Sequence, residues 1–160
     1  MDVYLAITSK RDERRYAERP VPPEALRRIL DAGRLAGSAR NRQPWEFVVV
    51  SDPTNLAKTV YEPSNLEGAA LVVAIVGRSG LDTGRAAQNM MLAAWDEGIA
   101  SCPNGISDPA GAEAILGGEP AIVISFGYPA GGGRDPAART AEEWSERANR
   151  KPLEELVRTI

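Results

Sequence analysis

The sequence predicts a single domain of mixed α/β class, in which helices and strands alternate along the chain. Three short runs rich in β-branched residues have the composition of strands. The segments between them place apolar residues at helical spacing. The chain has 160 residues, of which 43% are hydrophobic and 26% are charged, and it contains no internal repeat. We therefore expect residues 1–160 to form one globular domain around one core.

The first half of the chain contains a clear helix and two clear strands. The helix, Pro23–Arg34, begins at a proline, which is favoured at the first helical position, and its apolar residues follow at i, i+3 and i+4. The first strand, Glu46–Val50, ends at a Ser-Asp-Pro turn. The second, Leu71–Val76, is apolar on both faces, as is typical of a central strand. Shorter helical segments are predicted over residues 3–7 and 55–60.

The second half begins with the longest predicted helix, which is capped by Asp82 or Thr83 and ends near Gly98. Its apolar residues cover most of its circumference, which indicates burial in a core or against a partner. The remaining predicted elements are strands over 100–103 and 121–126, a helix over 110–116, and a charged segment over 142–160 that is helical near its end.

Composition excludes several kinds of chemistry. Cys102 is the only cysteine and there is no histidine, so intrachain disulfides, Cys-rich zinc sites, Ser-His or Cys-His catalysis and histidine-ligated metals are all excluded. We expect no metal site. The net charge of -3 and the pI of about 5.1 give no basic field for nucleic acid or an anionic membrane. With no signal-peptide pattern and no apolar run long enough for a bilayer, we expect a cytoplasmic protein.

A basic run is the first candidate binding site. It begins at Lys10 and includes Arg11 and Arg14, which would be neighbours if the segment were helical. Two guanidinium groups offer forked donors to the oxygens of a phosphate. The alternative is a solvated charged turn in which Asp12 and Glu13 neutralise their neighbours.

Two polar loops are further candidates. One contains Ser38, Asn41 and Gln43, whose side chains have the donors and acceptors to pair with the edges of a planar heterocycle. The other contains Asn104 and Gly105, where the glycine allows the main chain to approach a ligand closely. The alternative for each is an ordinary turn without a ligand.

These segments, taken together, resemble motifs of the flavin-dependent nitroreductase family. Residues 36–45 are similar to the family's A-P-S-x-x-N-x-Q-P-W loop, and residues 11–16 to its R-S-x-R-x-[FY] motif. The helix at 21–30 follows the family's V-P-x-x-x-L-x-x-I-L pattern. Other family-like segments occur, in the family's order, at residues 86–94, 98–102, 127–129 and 150–157. The resemblance covers nearly the whole chain.

The resemblance implies a three-layer α+β fold, in which a central, mostly antiparallel sheet is flanked by helices. It also implies a homodimer that holds FMN at the subunit interface, with the apolar helix around Met90 at that interface. The implied partners are NAD(P)H and a small-molecule acceptor. No side chain is expected to be catalytic, because N5 of the flavin carries the chemistry.

Carried over by position, the resemblance implies which basic residues hold FMN. Lys10, Arg11 and Arg14 would approach the phosphate, the ribityl chain or the pyrimidine edge. Arg150 and Lys151 would complete the grip on the phosphate.

The resemblance also implies contacts to the flavin from the two polar loops. Ser38 and Asn41 would contact the flavin from the other subunit, and Gln43 is counted with them as a cofactor-binding residue. Asn104 and Gly105 would lie beside the ring, with a backbone amide near N5.

The sequence departs from the family pattern in three places. Gly37 stands where the family usually has proline, and Asp12 stands where a serine often contacts the phosphate. The carboxylate of Asp12 would repel a phosphate unless it pointed away or paired with an arginine, which leaves room for a deazaflavin. The connection from Val76 to Asp82 is too short for the helical cover of larger relatives. The pocket is then either open or roofed by the partner or by residues 61–67.

The function implied is hydride transfer from NAD(P)H through flavin N5 to an oxidised acceptor such as a nitroaromatic or a quinone. Two alternatives belong to other classes. One is a protein that binds a flavin or deazaflavin without turnover, and the other is a flavin-consuming enzyme of the same superfamily.

Overall fold

A computed structural model describes residues 1–78 and 80–160. The chain divides into two compact units, which we call the sheet unit (Arg11–Gly133) and the terminal unit (Met1–Lys10 and Arg134–Ile160). The helices are α1 (Val3–Ser9), α2 (Pro23–Arg34), α3 (Thr54–Ala57), α4 (Ser64–Glu67), α5 (Leu81–Asp96), α6 (Pro109–Leu116) and α7 (Ala141–Glu146). The strands are β1 (Glu46–Val50), β2 (Leu71–Val76), β3 (Ala100–Asn104) and β4 (Pro120–Gly127). No helix among the described residues is long and apolar enough to cross a membrane.

The four strands form one antiparallel sheet in the order β1-β2-β4-β3. β2 pairs with β1 and β4, so it is a central strand, as its uninterrupted apolar run predicts. β1 and β3 are the two edge strands of the sheet. The predicted α+β class with an antiparallel sheet is confirmed.

Helices cover both faces of the sheet and make the sheet unit three-layered. On one face, α2 and α5 pack on a core that includes Ile29, Met90 and Phe126. On the other face, α3, α4 and α6 pack on a core that includes Leu66 and Val123. Because side chains alternate along a strand, each central strand contributes to both cores.

α5 differs from its prediction at its N-cap. Its N-cap is Gly80, and Thr83 lies at N3, where its hydroxyl accepts a hydrogen bond from the Gly80 N–H at 3.1 Å. Asp82 and Thr83 are therefore wrong as the cap position. Met90 is fully buried within its own chain, so the apolar character of α5 is explained without a partner subunit. The homodimer stays a prediction. Ser79, in the short connection before α5, lies outside the described residues.

The terminal unit joins the two ends of the chain, with α1 packed against α7. Trp144 is buried in this unit. Its indole N–H donates to the Pro136 carbonyl at 3.0 Å, and its ring lies 4.8 Å from the Arg139 guanidinium. The helix predicted near the end of the chain is wrong. Only a 3₁₀ turn, Leu153–Glu155, follows α7, because the apolar residues there stay exposed and give a helix nothing to pack against.

Candidate functional site

The basic run that begins at Lys10 is extended rather than helical beyond α1. Asp12 forms a parallel bridge with Ser101 of β3, and the Glu13 N–H donates to the Ser101 carbonyl at 3.1 Å. The helical arrangement that would make Arg11 and Arg14 neighbours is therefore not formed. The segment adds instead to the free edge of β3, with Arg11 half-buried and Arg14 exposed.

Tyr16 fixes the end of this segment to the sheet. Its hydroxyl donates to the Glu13 carbonyl at 2.6 Å and lies 3.0 Å from Oγ of Ser125. The ring reaches that position because Gly127 has no side chain: a Cβ there would lie 2.7 Å from Cγ of Tyr16. Burial raises the pKa of the Tyr16 hydroxyl well above its usual range, so the group stays neutral.

The side chain of Asn104 lies inside the sheet unit and is used for structure. Its amide N–H groups lie within hydrogen-bonding distance of the Cys102 carbonyl (2.9 Å), the Val123 carbonyl (3.3 Å) and Oγ of Ser125 (3.2 Å). Its Oδ1 accepts from the side chain of Asn65 at 3.0 Å. Since these partners satisfy the amide, Asn104 could meet a cofactor through its main chain and not through its side chain.

Gly105 follows at the exposed end of β3. Its carbonyl accepts a hydrogen bond from the Tyr61 N–H at 3.1 Å. The Gly105 N–H itself donates no hydrogen bond to the backbone of the described residues. A second unused group lies on the same strand: Oγ of Ser101 is buried and has no hydrogen-bond partner among the described residues. A buried polar group without a partner calls for one from outside the chain, such as a ligand or an ordered water.

The polar loop that contains Ser38, Asn41 and Gln43 is internally braced and strained. Oγ of Ser38 accepts from the Gln43 N–H at 2.9 Å. Arg40, Asn41 and Gln43 have φ values of 54°, 53° and 50°, in the left-handed region that non-glycine residues rarely adopt. Such strain costs about 1–3 kcal/mol per residue and gathers at functional sites. The side chains of Asn41 and Gln43 are exposed.

Neighbouring elements hold this loop in place. The Ala39 N–H donates to the Asp82 carboxylate at 3.1 Å, at the start of α5. At the end of β2, Gly77 has a φ of 135°, and a Cβ there would collide with the Pro44 carbonyl. The glycine at 37, where the family has proline, also has a reason: a Cβ there would lie 2.6 Å from Nη2 of Arg85. The absence of a side chain lets the Arg85 guanidinium lie against the loop.

The polar loop and the Gly105 turn lie at opposite edges of the sheet. The loop leads into β1 and the turn follows β3, and two strands separate these edge strands. Three strand spacings amount to roughly 14 Å. Among the described residues, no hydrogen bond joins the loop to Arg14 or Gly105. Within one chain, the structure therefore groups the basic segment with the Gly105 turn on β3 and leaves the loop apart.

The three remaining predicted residues belong to the terminal unit. Lys10 closes α1, where its N–H donates to the Ala6 carbonyl at 3.1 Å. Arg150 and Lys151 are exposed and follow α7. Their role in holding a phosphate stays a prediction.

Sequence reasoning missed the buried polar groups behind the site. Asn65 and Ser125 are not marked by any local motif, because their hydrogen bonds are formed with residues distant in the chain. Tyr16 carries a partial signal, since the family motif allows tyrosine or phenylalanine at this position, and only tyrosine supplies a hydroxyl.

Comparison with known proteins gives consistent relatives. The family model described as "Nitroreductase family" matches residues 7–76 and 77–131. A protein of Methanothermobacter thermautotrophicus described as an NADH dehydrogenase/NAD(P)H nitroreductase is 32% identical over 118 residues, or 66% of this chain and 62% of that one. An NADH dehydrogenase of Thermus thermophilus is 38% identical over 78 residues, or 47% of this chain and 38% of that one. The match thus spans less than two thirds of each of these relatives.

Solved structures share the fold over almost the whole chain. A nitroreductase of Desulfovibrio desulfuricans, determined in complex with FMN, has a TM-score of 0.81 at 28% identity and covers 98% of this chain and 96% of that one. A nitroreductase family protein of Clostridium difficile has a TM-score of 0.80 at 24% identity, covering 99% and 98%. With the family model matching most of the chain, this protein belongs to the nitroreductase family.

Proposed function

We propose that this protein is an FMN-dependent oxidoreductase that takes reducing equivalents from NAD(P)H and passes them to an oxidised acceptor such as a nitroaromatic or a quinone. The observation that carries the proposal is the Gly105 N–H at the exposed end of β3, which donates to no acceptor among the described residues. The family of the chain and the FMN bound to a structural relative support it.

The residues on the β3 edge fit a flavin mononucleotide. The Gly105 N–H matches the acceptor nitrogen that an isoalloxazine ring presents at its edge. Arg11 and Arg14, on the adjoining extended segment, match an anionic phosphate, since guanidinium groups pair with phosphate oxygens through forked hydrogen bonds. We propose that Lys10, Arg150 and Lys151 of the terminal unit add to this positive charge.

The polar loop fits the same cofactor only if it comes from a second copy of the chain. Ser38, Asn41 and Gln43 lie at the β1 edge, and the Gly105 turn lies at the β3 edge. We therefore propose a homodimer in which each flavin meets the β3 edge of one protomer and the polar loop of its partner.

When bound, FMN supplies the redox chemistry, accepting a hydride from NAD(P)H and returning electrons to the acceptor. The chain supplies binding and orientation. The Gly105 N–H would orient the ring edge, and the arginines would neutralise the phosphate. This chemistry requires no side chain of the protein to act as an acid or a base, which is consistent with the absence of histidine.

The test is a visible absorption spectrum of the purified protein, followed by anaerobic addition of NADH or NADPH. We expect the bands of FMN, with the chromophore identified by mass, and their bleaching by at least one of the two nucleotides. FMN that neither nucleotide bleaches would indicate a binding protein without turnover. Loss of intact flavin over repeated aerobic cycles would indicate a flavin-consuming enzyme. A protein that binds no FMN even after reconstitution would overturn the proposal.

A further inference from the structure

We propose that residues 60–67 form the cover over the flavin ring, with the phenol ring of Tyr61 in direct contact with the isoalloxazine. The inference rests on the proposed function, because it assumes that FMN binds at Gly105. None of the FMN contacts proposed above involves this segment. The connection from β2 to α5 is too short to cover the flavin ring, and residues 60–67 would cover it instead.

Tyr61 is exposed although buried residues anchor the segment that carries it. Its side chain is 77% exposed, whereas Val60 is 3% exposed and Leu66 is fully buried in the core beneath α4. Most of the surface of this ring is therefore available to a partner from outside the chain. An aromatic cofactor is a suitable partner, because ring stacking adds to the burial of apolar surface.

The segment is fastened to the end of β3 at several points. The Tyr61 N–H donates to the Gly105 carbonyl at 3.1 Å, and Val60 forms an antiparallel bridge with Ile106. Asn65 donates to the buried Asn104 side chain at 3.0 Å. These bonds fix the segment relative to the Gly105 turn, so that Tyr61 has a set position beside it.

The ring of Tyr61 lies directly against Gly105. A Cβ at position 105 would lie 3.1 Å from Cδ2 and 3.4 Å from Cε2 of the tyrosine, so glycine is the residue that leaves room for this contact. A flavin hydrogen-bonded to the Gly105 N–H would be about 3 Å from that nitrogen. Two rings that both contact one glycine are close enough to contact each other.

The test compares Tyr61→Leu with the matched variant Tyr4→Leu, which removes another exposed tyrosine, in the terminal unit. Both are measured as FMN-loaded full-length protein, with circular dichroism as the check of folding. A tyrosine in contact with a flavin quenches its fluorescence by electron transfer to the excited ring. We therefore expect Tyr61→Leu to lengthen the fluorescence lifetime of bound FMN several-fold and to increase its quenching by iodide. Tyr61→Trp, which retains an aromatic electron donor, should keep the short lifetime, and Tyr4→Leu should match the wild type.

The outcomes separate this inference from the proposed function. If wild-type protein binds FMN and NAD(P)H bleaches it, but Tyr61→Leu has the wild-type lifetime and iodide accessibility, only the role of Tyr61 is overturned. If the wild-type protein binds no FMN, the proposed function fails and the inference fails with it.

Discussion

The side-chain amide of Asn65 donates a 3.0 Å hydrogen bond to Oδ1 of Asn104, 39 residues further along the chain. Asn104 in turn lies 3.2 Å from Oγ of Ser125, which is 3.0 Å from the hydroxyl of Tyr16. This chain of hydrogen bonds runs from α4 through the sheet to the carbonyl of Glu13 on the basic segment. The segments proposed to hold, orient and cover the flavin thus share one buried polar network.

Asn65→Ala should destabilise the protein by about 1–3 kcal/mol, because Oδ1 of Asn104 would lose its donor while staying buried. Urea unfolding of the apo protein, followed by circular dichroism, measures this change. Asn55→Ala is the matched control, since Asn55 is exposed on α3 and should change the free energy of unfolding by no more than about 0.5 kcal/mol. Equal effects of the two variants would contradict a structural role for the buried amide.

The buried hydroxyl of Tyr16 should make stability depend on alkaline pH. Burial raises its pKa in the folded state, while the unfolded chain has the ordinary phenol value of about 10. Above that pH the unfolded state loses the proton first, so the free energy of unfolding should fall as the pH rises. Below it, the contribution is fully present.

Tyr16→Phe removes this titration together with the hydroxyl's hydrogen bonds. The variant should be less stable than the wild type by about 0.5–1.5 kcal/mol at neutral pH. The difference should shrink as the pH rises above about 10. Urea midpoints between neutral and alkaline pH check both effects, with Tyr4→Phe as a control at an exposed tyrosine. A difference that stays constant with pH would show that Tyr16 does not titrate as its burial requires.

Gly77→Ala should destabilise the protein by about 2 kcal/mol or more, because its φ of 135° disfavours any side chain and a Cβ would collide with the Pro44 carbonyl. Gly84→Ala is the contrasting variant. Gly84 lies exposed on α5 with no atom within 4 Å of the added Cβ, so alanine should stabilise the helix by about 0.4–1 kcal/mol. Thermal unfolding of both variants should therefore shift in opposite directions, and shifts of the same sign would count against this account of Gly77.

Local sequence pattern was sufficient for the elements whose own residues decide their structure. Pro23–Arg34, Glu46–Val50 and Leu71–Val76 have the predicted bounds, because a proline start and uninterrupted apolar runs act over a few residues. α4 was not predicted, since a four-residue helix has little periodicity and this one depends on packing of Leu66 against the sheet. At the end of the chain a helix was predicted but is not formed. The charged residues there have good helix propensity, but a helix would have no surface to pack against.

The features of the candidate site likewise divide into those that local sequence predicts and those that depend on residues distant in the chain. Gly105 was predicted from its residue type as a place where a ligand approaches the main chain closely, and this stays a prediction. The structure adds that the missing side chain leaves room for the ring of Tyr61. The spacing of the arginines did not reveal the conformation of the basic segment. The segment is extended because Glu13 donates a hydrogen bond to Ser101, which is distant in the chain. The buried hydrogen bonds of Asn65 are equally non-local.

Arg14→Ala should weaken FMN binding by about 1.5–3 kcal/mol, the usual cost of a lost charged hydrogen bond. Arg150→Ala should have an effect of the same size if the terminal unit contributes to the phosphate site. Fluorescence titration of apo protein with FMN measures both. Lys58→Ala removes an exposed positive charge at the end of α3 that is not among the residues proposed to hold FMN, and it should leave the affinity unchanged. Wild-type affinity in both arginine variants would show that the phosphate is held elsewhere.

The separation of the polar loop from the Gly105 turn predicts that defects in different chains complement each other. Consider a heterodimer of one Arg14→Ala chain and one Ser38→Ala/Asn41→Ala chain. If each flavin meets the β3 edge of one protomer and the loop of its partner, one site carries both defects and the other carries none. We expect this heterodimer to bind one tight FMN per dimer, whereas each variant homodimer has two defective sites.

The measurement uses two affinity tags to isolate the heterodimer and absorption to count FMN per dimer. The wild-type dimer, carrying the same two tags, gives the reference of two. If both groups of residues acted on the same flavin from a single chain, each chain of the heterodimer would hold one defective site and no tight FMN would remain. The stoichiometry therefore decides whether the flavin lies between subunits, and elution of the wild-type protein as a monomer would exclude that arrangement outright.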